Sequence, residues 1–237
     1  MSAYAATLDG VRGFLGKMED YILTDLYMRS CSAANQSMYE PESAGIPGSP
    51  ASHFEHFLRQ RLLSPSSKLH IIDEVPIFRG RPVQERAWRR RYPMGPTGIN
   101  TYRSINEAYM RAVRQLCADG DDGEWDSAAL SDMVAVDSLI ARIQRGGIWV
   151  ADLKFMGDPD RYRDLARMGD SRAKTETRGM VTNPEQESRV LARVREKGAK
   201  NGIDPDFAET FFSNDVIPLT REVEVQRILE VANRNPP

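Results

Sequence analysis

The spacing of apolar residues follows the helical repeat along almost the whole chain. In residues 7–30 an apolar side chain recurs every third or fourth position, at Leu8, Val11, Leu15, Met18, Ile22, Leu26 and Met28. This spacing is typical of an amphipathic helix that buries one face. The same repeat predicts helices at 53–63, 105–117, 128–155, 158–169, 184–200, from 204 onward and at 219–232. Because no segment alternates apolar and polar residues as a half-buried strand does, we predict an all-α fold with one long central helix.

Two proline-rich stretches interrupt the helical pattern. Residues 41–52 are rich in Pro, Gly and Ser, and residues 64–99 contain five prolines, so both stretches are predicted to be irregular. Four arginines cluster in the second stretch, at positions 86 and 89–91. We interpret them as a solvated or dimer-facing loop rather than a phosphate-binding patch. No internal repeat divides the chain, and we expect a single domain over residues 1–237.

The composition is that of a globular protein with no general affinity for polyanions or membranes. Hydrophobic residues make up 41% and charged residues 28% of the chain, and the formal net charge is −2. These values give no indication of nucleic-acid binding, and no apolar run approaches the roughly 18 residues that a membrane span requires. The first residues lack the features of a signal peptide, so we expect a cytoplasmic protein. A secreted protein whose signal peptide has been removed would look the same, and this alternative stays open.

No motif for metal, nucleotide or nucleophilic chemistry is present. The chain has no phosphate-binding loop, no paired C-x-x-C and no G-x-S-x-G. His53 and His56 lie three residues apart without an evident third ligand, which favours surface histidines over a metal site. We therefore expect neither a metal nor another cofactor.

Polar residues within apolar helical segments are the remaining candidates for a site. Arg142 and Lys154 lie at the ends of the apolar segment IQRGGIWVADL, where an unpaired charge is costly to bury. Two further pairs are four residues apart and so share a helix face: Asn183 with Glu187, and Thr220 with Glu224. Each also has an ordinary structural explanation: Asn183 precedes Pro184 as a helix cap would, the glutamates could be surface acids, and Arg142 could form an interhelical ion pair. Residue chemistry alone thus indicates a helical protein with a site for an anionic ligand.

Taken in order, these segments resemble the eukaryotic all-helical chorismate mutases over almost the whole chain. The segment LDGVRGFLGKMEDYIL is similar to the first helix of that family and places the family's arginine at Arg12. The middle of the family is matched by IDEVPIF, GDDGEWDSAALSDMVAVDSLIARI and VADLKF. The family's Thr-Asn-x-x-x-Glu falls on Thr182, Asn183 and Glu187, and its last helix on VIPLTREVEVQRIL.

The resemblance implies a homodimeric enzyme that converts chorismate to prephenate by an intramolecular rearrangement, without a cofactor. It implies that Arg12 and Arg142 hold the two carboxylates of chorismate with help from Thr220. Lys154 and Glu224 would flank the ether oxygen of the breaking bond. The resemblance also implies that the remaining pair, Asn183 and Glu187, holds the ring of the substrate.

One departure from the family concerns the spacing of the two cations on the central helix. The family separates this arginine and lysine by eleven residues, whereas Arg142 and Lys154 are twelve apart. At about 100° per residue, eleven steps return to within about 20° of the same face, while twelve overshoot by about 120°. We therefore predict a π-bulge at Gly146-Gly147 that absorbs the extra residue, or else a site with weakened activity.

A second departure concerns regulation by aromatic amino acids. Regulated members of the family bind them with paired arginines before the proline-rich loop and a Gly-Ser at the start of the long helix. Here the corresponding positions read Ser67-Lys68 and Asp126-Ser127. Because a carboxylate at Asp126 should repel the carboxylate of an amino acid, we predict that tryptophan and tyrosine do not regulate this protein.

Two other functions remain as alternatives. The first is a catalytically weak or inactive binding protein on the same scaffold, for example a secreted fungal effector; the extra residue before Lys154 favours it, and retention of all seven site residue types opposes it. The second is an isochorismate pyruvate lyase, which would bind a similar dianion. The length of the resemblance, which is to the long eukaryotic form, disfavours the lyase.

Overall fold

The computed structural model describes residues 7–62 and 92–234, and this part of the chain contains α-helices and no strand. The α-helices are Leu8–Ser30 (α1), His53–Leu62 (α2), Tyr102–Leu116 (α3), Trp125–Ile140 (α4), Gly146–Gly157 (α5), Pro159–Ala166 (α6), Asp170–Val181 (α7), Pro184–Lys200 (α8), Pro205–Phe211 (α9) and Ile217–Arg234 (α10). A short 3₁₀-helix spans Gln36–Tyr39, and two π-helical segments span Ala141–Arg145 and Phe212–Val216. The prediction of an all-α fold is confirmed. The arginine cluster at 86 and 89–91, and most of the predicted irregular stretch 64–99, lie outside the described residues.

Capping residues in the sequence set where several helices begin. The Thr7 hydroxyl accepts a hydrogen bond from the Gly10 amide at the start of α1. At the start of α8 the Asn183 Oδ1 atom accepts from the Gln186 amide, and Pro184 occupies the first helical position. Asp204 and Pro205 repeat this arrangement at α9. Asn183 is therefore a helix cap, as its position before Pro184 predicted, and Oδ1 is the side-chain atom that forms the cap.

The central helix is continuous from Trp125 to Gly157, through α4, the first π-helical segment and α5. Helix α1 packs along α4, and α10 packs along α5, so the two halves of the central helix carry the two main layers of the protein. One core cluster lies mainly among α1, α3, α4 and α9, and the other among α5, α6, α7 and α10. The central helix thus links the two clusters.

Among the described helices, α7 was missed by the sequence pattern. We predicted helices at 158–169 and 184–200, with nothing between them. The structure ends α6 at Ala166, and after Gly169, whose φ is +86°, it begins α7. Helix α7 buries only Ala173, Thr177 and Val181, which are small or polar residues. The apolar stripe of α7 was therefore too weak to recognise from the sequence.

Within the described residues, no helix combines the length and the apolar character needed to cross a bilayer.

Candidate active site

A cavity of about 280 Å³ opens between α1, α5, α10 and the junction of α7 with α8. Its lining contains all seven residues that the sequence singled out, namely Arg12, Arg142, Lys154, Asn183, Glu187, Thr220 and Glu224. These residues come from four separate regions of the chain. Their meeting in one cavity is the main geometrical result for the site.

Arg142 is the most deeply placed cation of the cavity. Its side chain is buried, and its Nη1 atom donates to the Thr220 hydroxyl at 3.2 Å. Its Nε atom is buried and has no hydrogen-bond partner in the described part of the chain. Among the described residues, no carboxylate lies within ion-pair distance of Arg142. Burial lowers the pKa of the guanidinium, although the charges of Glu19 and Glu224 oppose this effect. A buried arginine without an ion pair can be satisfied by an anionic ligand in the cavity.

Lys154 and Glu224 form an ion pair on the wall of the cavity. The Lys154 Nζ atom lies 2.7 Å from the Glu224 Oε2 atom and also donates to the Val181 carbonyl oxygen at 3.1 Å. Burial raises the pKa of Glu224, while the positive charges of Lys154 and Arg142 work against that rise. The net effect is a pKa of Glu224 above that of an ordinary glutamate, so its protonated form persists to higher pH.

The remaining predicted residues lie nearer the opening of the cavity. Asn183 caps α8, and Glu187 accepts a hydrogen bond from the Arg221 Nη2 atom at 2.5 Å. Arg12 has a side chain that is 44% exposed, and its Nη1 atom lies 3.1 Å from the exposed Asp9 carboxylate. Arg12 thus lies at the rim of the cavity, and its exposed ion pair with Asp9 can be exchanged for another anion.

Three charged residues of the cavity were missed by the sequence interpretation: Glu19, Arg193 and Arg221. Glu19 is fully buried and accepts two hydrogen bonds of 2.7 Å from Arg193. A signal for it was present, because Glu19 lies between Leu15 and Ile22 on the apolar stripe of α1. Arg193 and Arg221 lie on partly exposed helix faces, where an arginine is unremarkable in a sequence.

The charges of the cavity fit a small dianion. Each of the three lining carboxyl groups pairs with a lining cation: Glu19 with Arg193, Glu187 with Arg221, and Glu224 with Lys154. Two lining cations, Arg12 and Arg142, form no ion pair with any of these three lining carboxyl groups. Two cations at separate positions suit a ligand with two carboxylates. In the described part of the chain, no group of three His, Cys, Asp or Glu side chains is arranged to hold a metal ion.

The π-helical segment Ala141–Arg145 resolves the unusual spacing of Arg142 and Lys154. It lies directly before Gly146, so the predicted helix distortion is confirmed, with its position shifted by a few residues. Both cations face the same cavity. The glycines themselves serve a different purpose: a Cβ atom on Gly147 would lie 3.0 Å from the Thr220 carbonyl oxygen and 2.8 Å from Val223 Cγ1. Gly147 therefore permits the close approach of α5 and α10.

Fold and site together define an all-helical protein whose cavity carries more cationic than anionic side chains, a charge balance that suits a small dicarboxylate. Comparison with known proteins identifies the family within this class. The family profile described as "Chorismate mutase type II" matches residues 169–225. The "Chorismate mutase" of Pichia angusta is 30% identical, over 94% of this chain and 86% of its own length. The chain belongs to the chorismate mutase family.

Solved structures agree with this assignment. The chloroplast chorismate mutase from Zea mays superposes with a TM-score of 0.80 at 25% identity, over 100% of this chain and 99% of that one. AtCM1 with tyrosine bound in its allosteric site superposes with a TM-score of 0.75 at 26% identity, over 97% of this chain and 98% of that one. The predicted family is thereby confirmed, whereas the roles of the individual site residues stay predictions.

Proposed function

We propose that this member of the chorismate mutase family converts chorismate into prephenate in the cavity described above. The observation that carries the proposal is the buried Arg142, which forms no ion pair with any described residue and shares one cavity with the Lys154–Glu224 pair. Arg142, supported by the Thr220 hydroxyl, would hold one carboxylate of chorismate. Arg12 would leave Asp9 and hold the other.

Such a site accelerates the rearrangement in two ways. It holds the substrate in one conformation, and it stabilises the negative charge that develops on the ether oxygen. The reaction is unimolecular and needs no nucleophile, so fixing both carboxylates in the compact reactive shape removes much of its entropic barrier. Lys154 would donate to the ether oxygen, on which negative charge accumulates as the bond breaks. Glu224 would donate to the same oxygen in its protonated form, and the anionic substrate would raise its pKa further. Asn183, through its amide nitrogen, which has no hydrogen-bond partner among the described residues, and Glu187 would hold the ring.

The test is to incubate the purified protein with chorismate and to identify the product by proton NMR. Formation of prephenate alone is the expected result. Release of pyruvate would indicate a lyase, and unchanged chorismate would contradict the proposal. The inactive-scaffold alternative rested on the twelve-residue spacing, and the π-helical segment removes that argument because it leaves Lys154 in the cavity.

We also infer that tryptophan and tyrosine do not regulate this protein, although AtCM1 holds tyrosine in an allosteric site. The support is Asp126, which places a carboxylate at the start of the central helix and pairs with His53 Nε2 at 3.0 Å. The other altered positions, Ser67 and Lys68, lie outside the described residues. Initial rates measured with and without each amino acid decide the question: equal rates are expected, and a several-fold change would overturn the inference.

We further propose that the protein is a homodimer. Five large apolar side chains are exposed on α1 and α4, two helices that pack together: Tyr21, Tyr27, Met28, Leu130 and Val134. Contact with a second copy would remove this apolar surface from water. Light scattering after size exclusion should give twice the chain mass, and a concentration-independent monomer would contradict the proposal.

A further inference from the structure

Arg221 lies on α10 directly after Thr220, and its side chain reaches across to α8. Its Nη2 atom lies 2.5 Å from the Glu187 Oε1 atom, and both residues line the cavity. The Arg221 Nε atom is buried and has no hydrogen-bond partner among the described residues. The pair lies within the site, and in the described part of the chain it is hydrogen-bonded to neither Arg142 nor the Lys154–Glu224 pair. The positive charge of Arg221 also reaches Glu224, where it works against the rise in that pKa, as the charges of Lys154 and Arg142 do.

The two oxygens of Glu187 are used differently. Oε1 accepts from Arg221, and Oε2 has no hydrogen-bond partner in the described part of the chain. A glutamate has several rotatable bonds, so a free Glu187 would lose rotamer entropy each time it accepted a ligand hydroxyl. Arg221 removes that cost in advance by fixing one oxygen and leaving the other available.

Arg221 also changes what an incoming dianion meets. Without it, Glu187 would present an uncompensated carboxylate at the opening of a site for an anion, and like charges a few ångströms apart repel. With it, the pair has no net charge. Both effects act on binding of the substrate, before the bond-breaking step.

We propose that Arg221 is a positioning residue, which orders and neutralises Glu187 so that its free oxygen can accept the ring hydroxyl of the substrate. This proposal rests on the function proposed above. It separates two parts of the cavity: Arg142, Lys154 and Glu224 act on the reacting atoms, whereas Glu187 with Arg221 recognises the hydroxyl.

A neighbouring ion pair provides a matched control. Arg178 on α7 pairs with Glu222 on α10, one residue along from Arg221, and neither residue lines the cavity. Arg178→Met removes the same kind of interhelical pair from the same helix without touching the site. A purely structural role for Arg221 would make Arg221→Met and Arg178→Met behave alike.

The experiment measures KM and kcat for Arg221→Met, Arg221→Lys, Glu187→Gln, the double variant Arg221→Met/Glu187→Gln and Arg178→Met, each with its thermal melting curve. For Arg221→Met we expect KM to rise about tenfold with kcat within about threefold of the parent. Arg221→Lys should recover part of the loss, because it restores the charge but not the planar geometry. Arg178→Met should leave both constants unchanged.

The double variant decides whether Arg221 acts through Glu187. Once Glu187 is Gln, adding Arg221→Met should change KM by less than about twofold, because coupled residues are not additive. Additive effects, a loss confined to kcat, or equal effects of Arg221→Met and Arg178→Met would overturn the proposal. If the parent protein shows no turnover, the proposed function fails instead, and chorismate affinities from calorimetry replace KM in the same comparison.

Discussion

Arg142 combines a structural cost with the ligand-binding role proposed for it. It is a buried guanidinium whose one described side-chain partner is a hydroxyl; Glu19 and Glu224 act on its charge from a distance, but no described carboxylate forms an ion pair with it. A protein selected for stability alone would place an apolar residue there. The residue is therefore best explained by an anionic ligand that completes its interactions.

The first prediction follows for Arg142→Met. Removing the unpaired charge while keeping an apolar stem should raise the melting temperature by about 2–4 °C and lower turnover of chorismate at least about 100-fold. Thermal melting and initial rates measure the two effects. Arg12→Met, at an exposed position, should leave the melting temperature nearly unchanged. A lower melting temperature for Arg142→Met would mean that Arg142 supports the fold rather than the ligand.

The second prediction concerns pH and Glu224. Burial raises the pKa of this carboxyl group, so its protonated, donating form persists to higher pH than for an ordinary glutamate and is lost as pH rises through that pKa. Turnover should therefore decline above neutrality. Glu224→Gln donates at every pH, so its rate should be nearly independent of pH in this range. A flat profile for the parent protein up to about pH 9 would remove Glu224 from the proposed role.

Individual residues could be predicted only where their chemistry conflicts with a helical pattern. Arg142 and Lys154 stood out from the sequence because they are charges in an apolar helix. Four more candidates were pairs that share a helix face, Asn183 with Glu187 and Thr220 with Glu224, and the resemblance to the family added Arg12 and the proposed roles. Arg221 gave no such signal, because a charged residue on a partly exposed helix face is ordinary. Its contact with Glu187 joins residues 34 positions apart, and a distance of this kind depends on the packing of α8 against α10.

At the scale of elements, residue spacing predicted a local distortion of a helix. Twelve steps between Arg142 and Lys154 do not fit a regular helix with both side chains on one face, and the segment Ala141–Arg145 is π-helical. The second π-helical segment, Phe212–Val216, precedes Thr220 and Glu224 and was not predicted. No pair of residues with a known spacing flanks that segment, so the sequence contained nothing from which its distortion could be predicted.

The third prediction tests how closely α5 and α10 must pack. In Gly147→Ala the new Cβ atom would meet the Val223 side chain and the Thr220 carbonyl oxygen, both of which belong to α10. The helices that carry the reacting groups must then separate, so we expect about 1–3 kcal/mol of destabilisation and a rate reduced by about tenfold or more. Chemical denaturation and initial rates measure these effects.

Two glycines provide the comparison for this variant. Gly146→Ala would meet mainly Leu15 Cδ2, the end of a flexible side chain, so it should be milder. Gly179→Ala on α7 has no neighbour within 4 Å and should stabilise the protein by about 0.5–1 kcal/mol with an unchanged rate. Equal behaviour of all three variants would show that the close approach of α5 and α10 is not required.

At the scale of the whole molecule, the helical repeat was sufficient for the fold class but not for the arrangement of helices. The apolar stripes of α1, α4 and α5 predicted long helices, because a helix must bury such a stripe. Which helix packs against which was not readable from those stripes. The polar helix α7 was missed, although its last residue, Val181, provides the carbonyl oxygen that holds Lys154. The resemblance to a family supplied the topology that periodicity could not.

The central property proposed for this protein is catalysis of one reaction in one cavity. The most direct measurement is the rate of chorismate loss with the purified parent protein, compared with the spontaneous rate in the same buffer and with Arg142→Met. We expect an acceleration on the order of 10⁶ over the spontaneous rate, abolished for the most part in Arg142→Met. Chorismate that binds to the parent protein but disappears no faster than in buffer would contradict the account and identify the chain as an inactive scaffold.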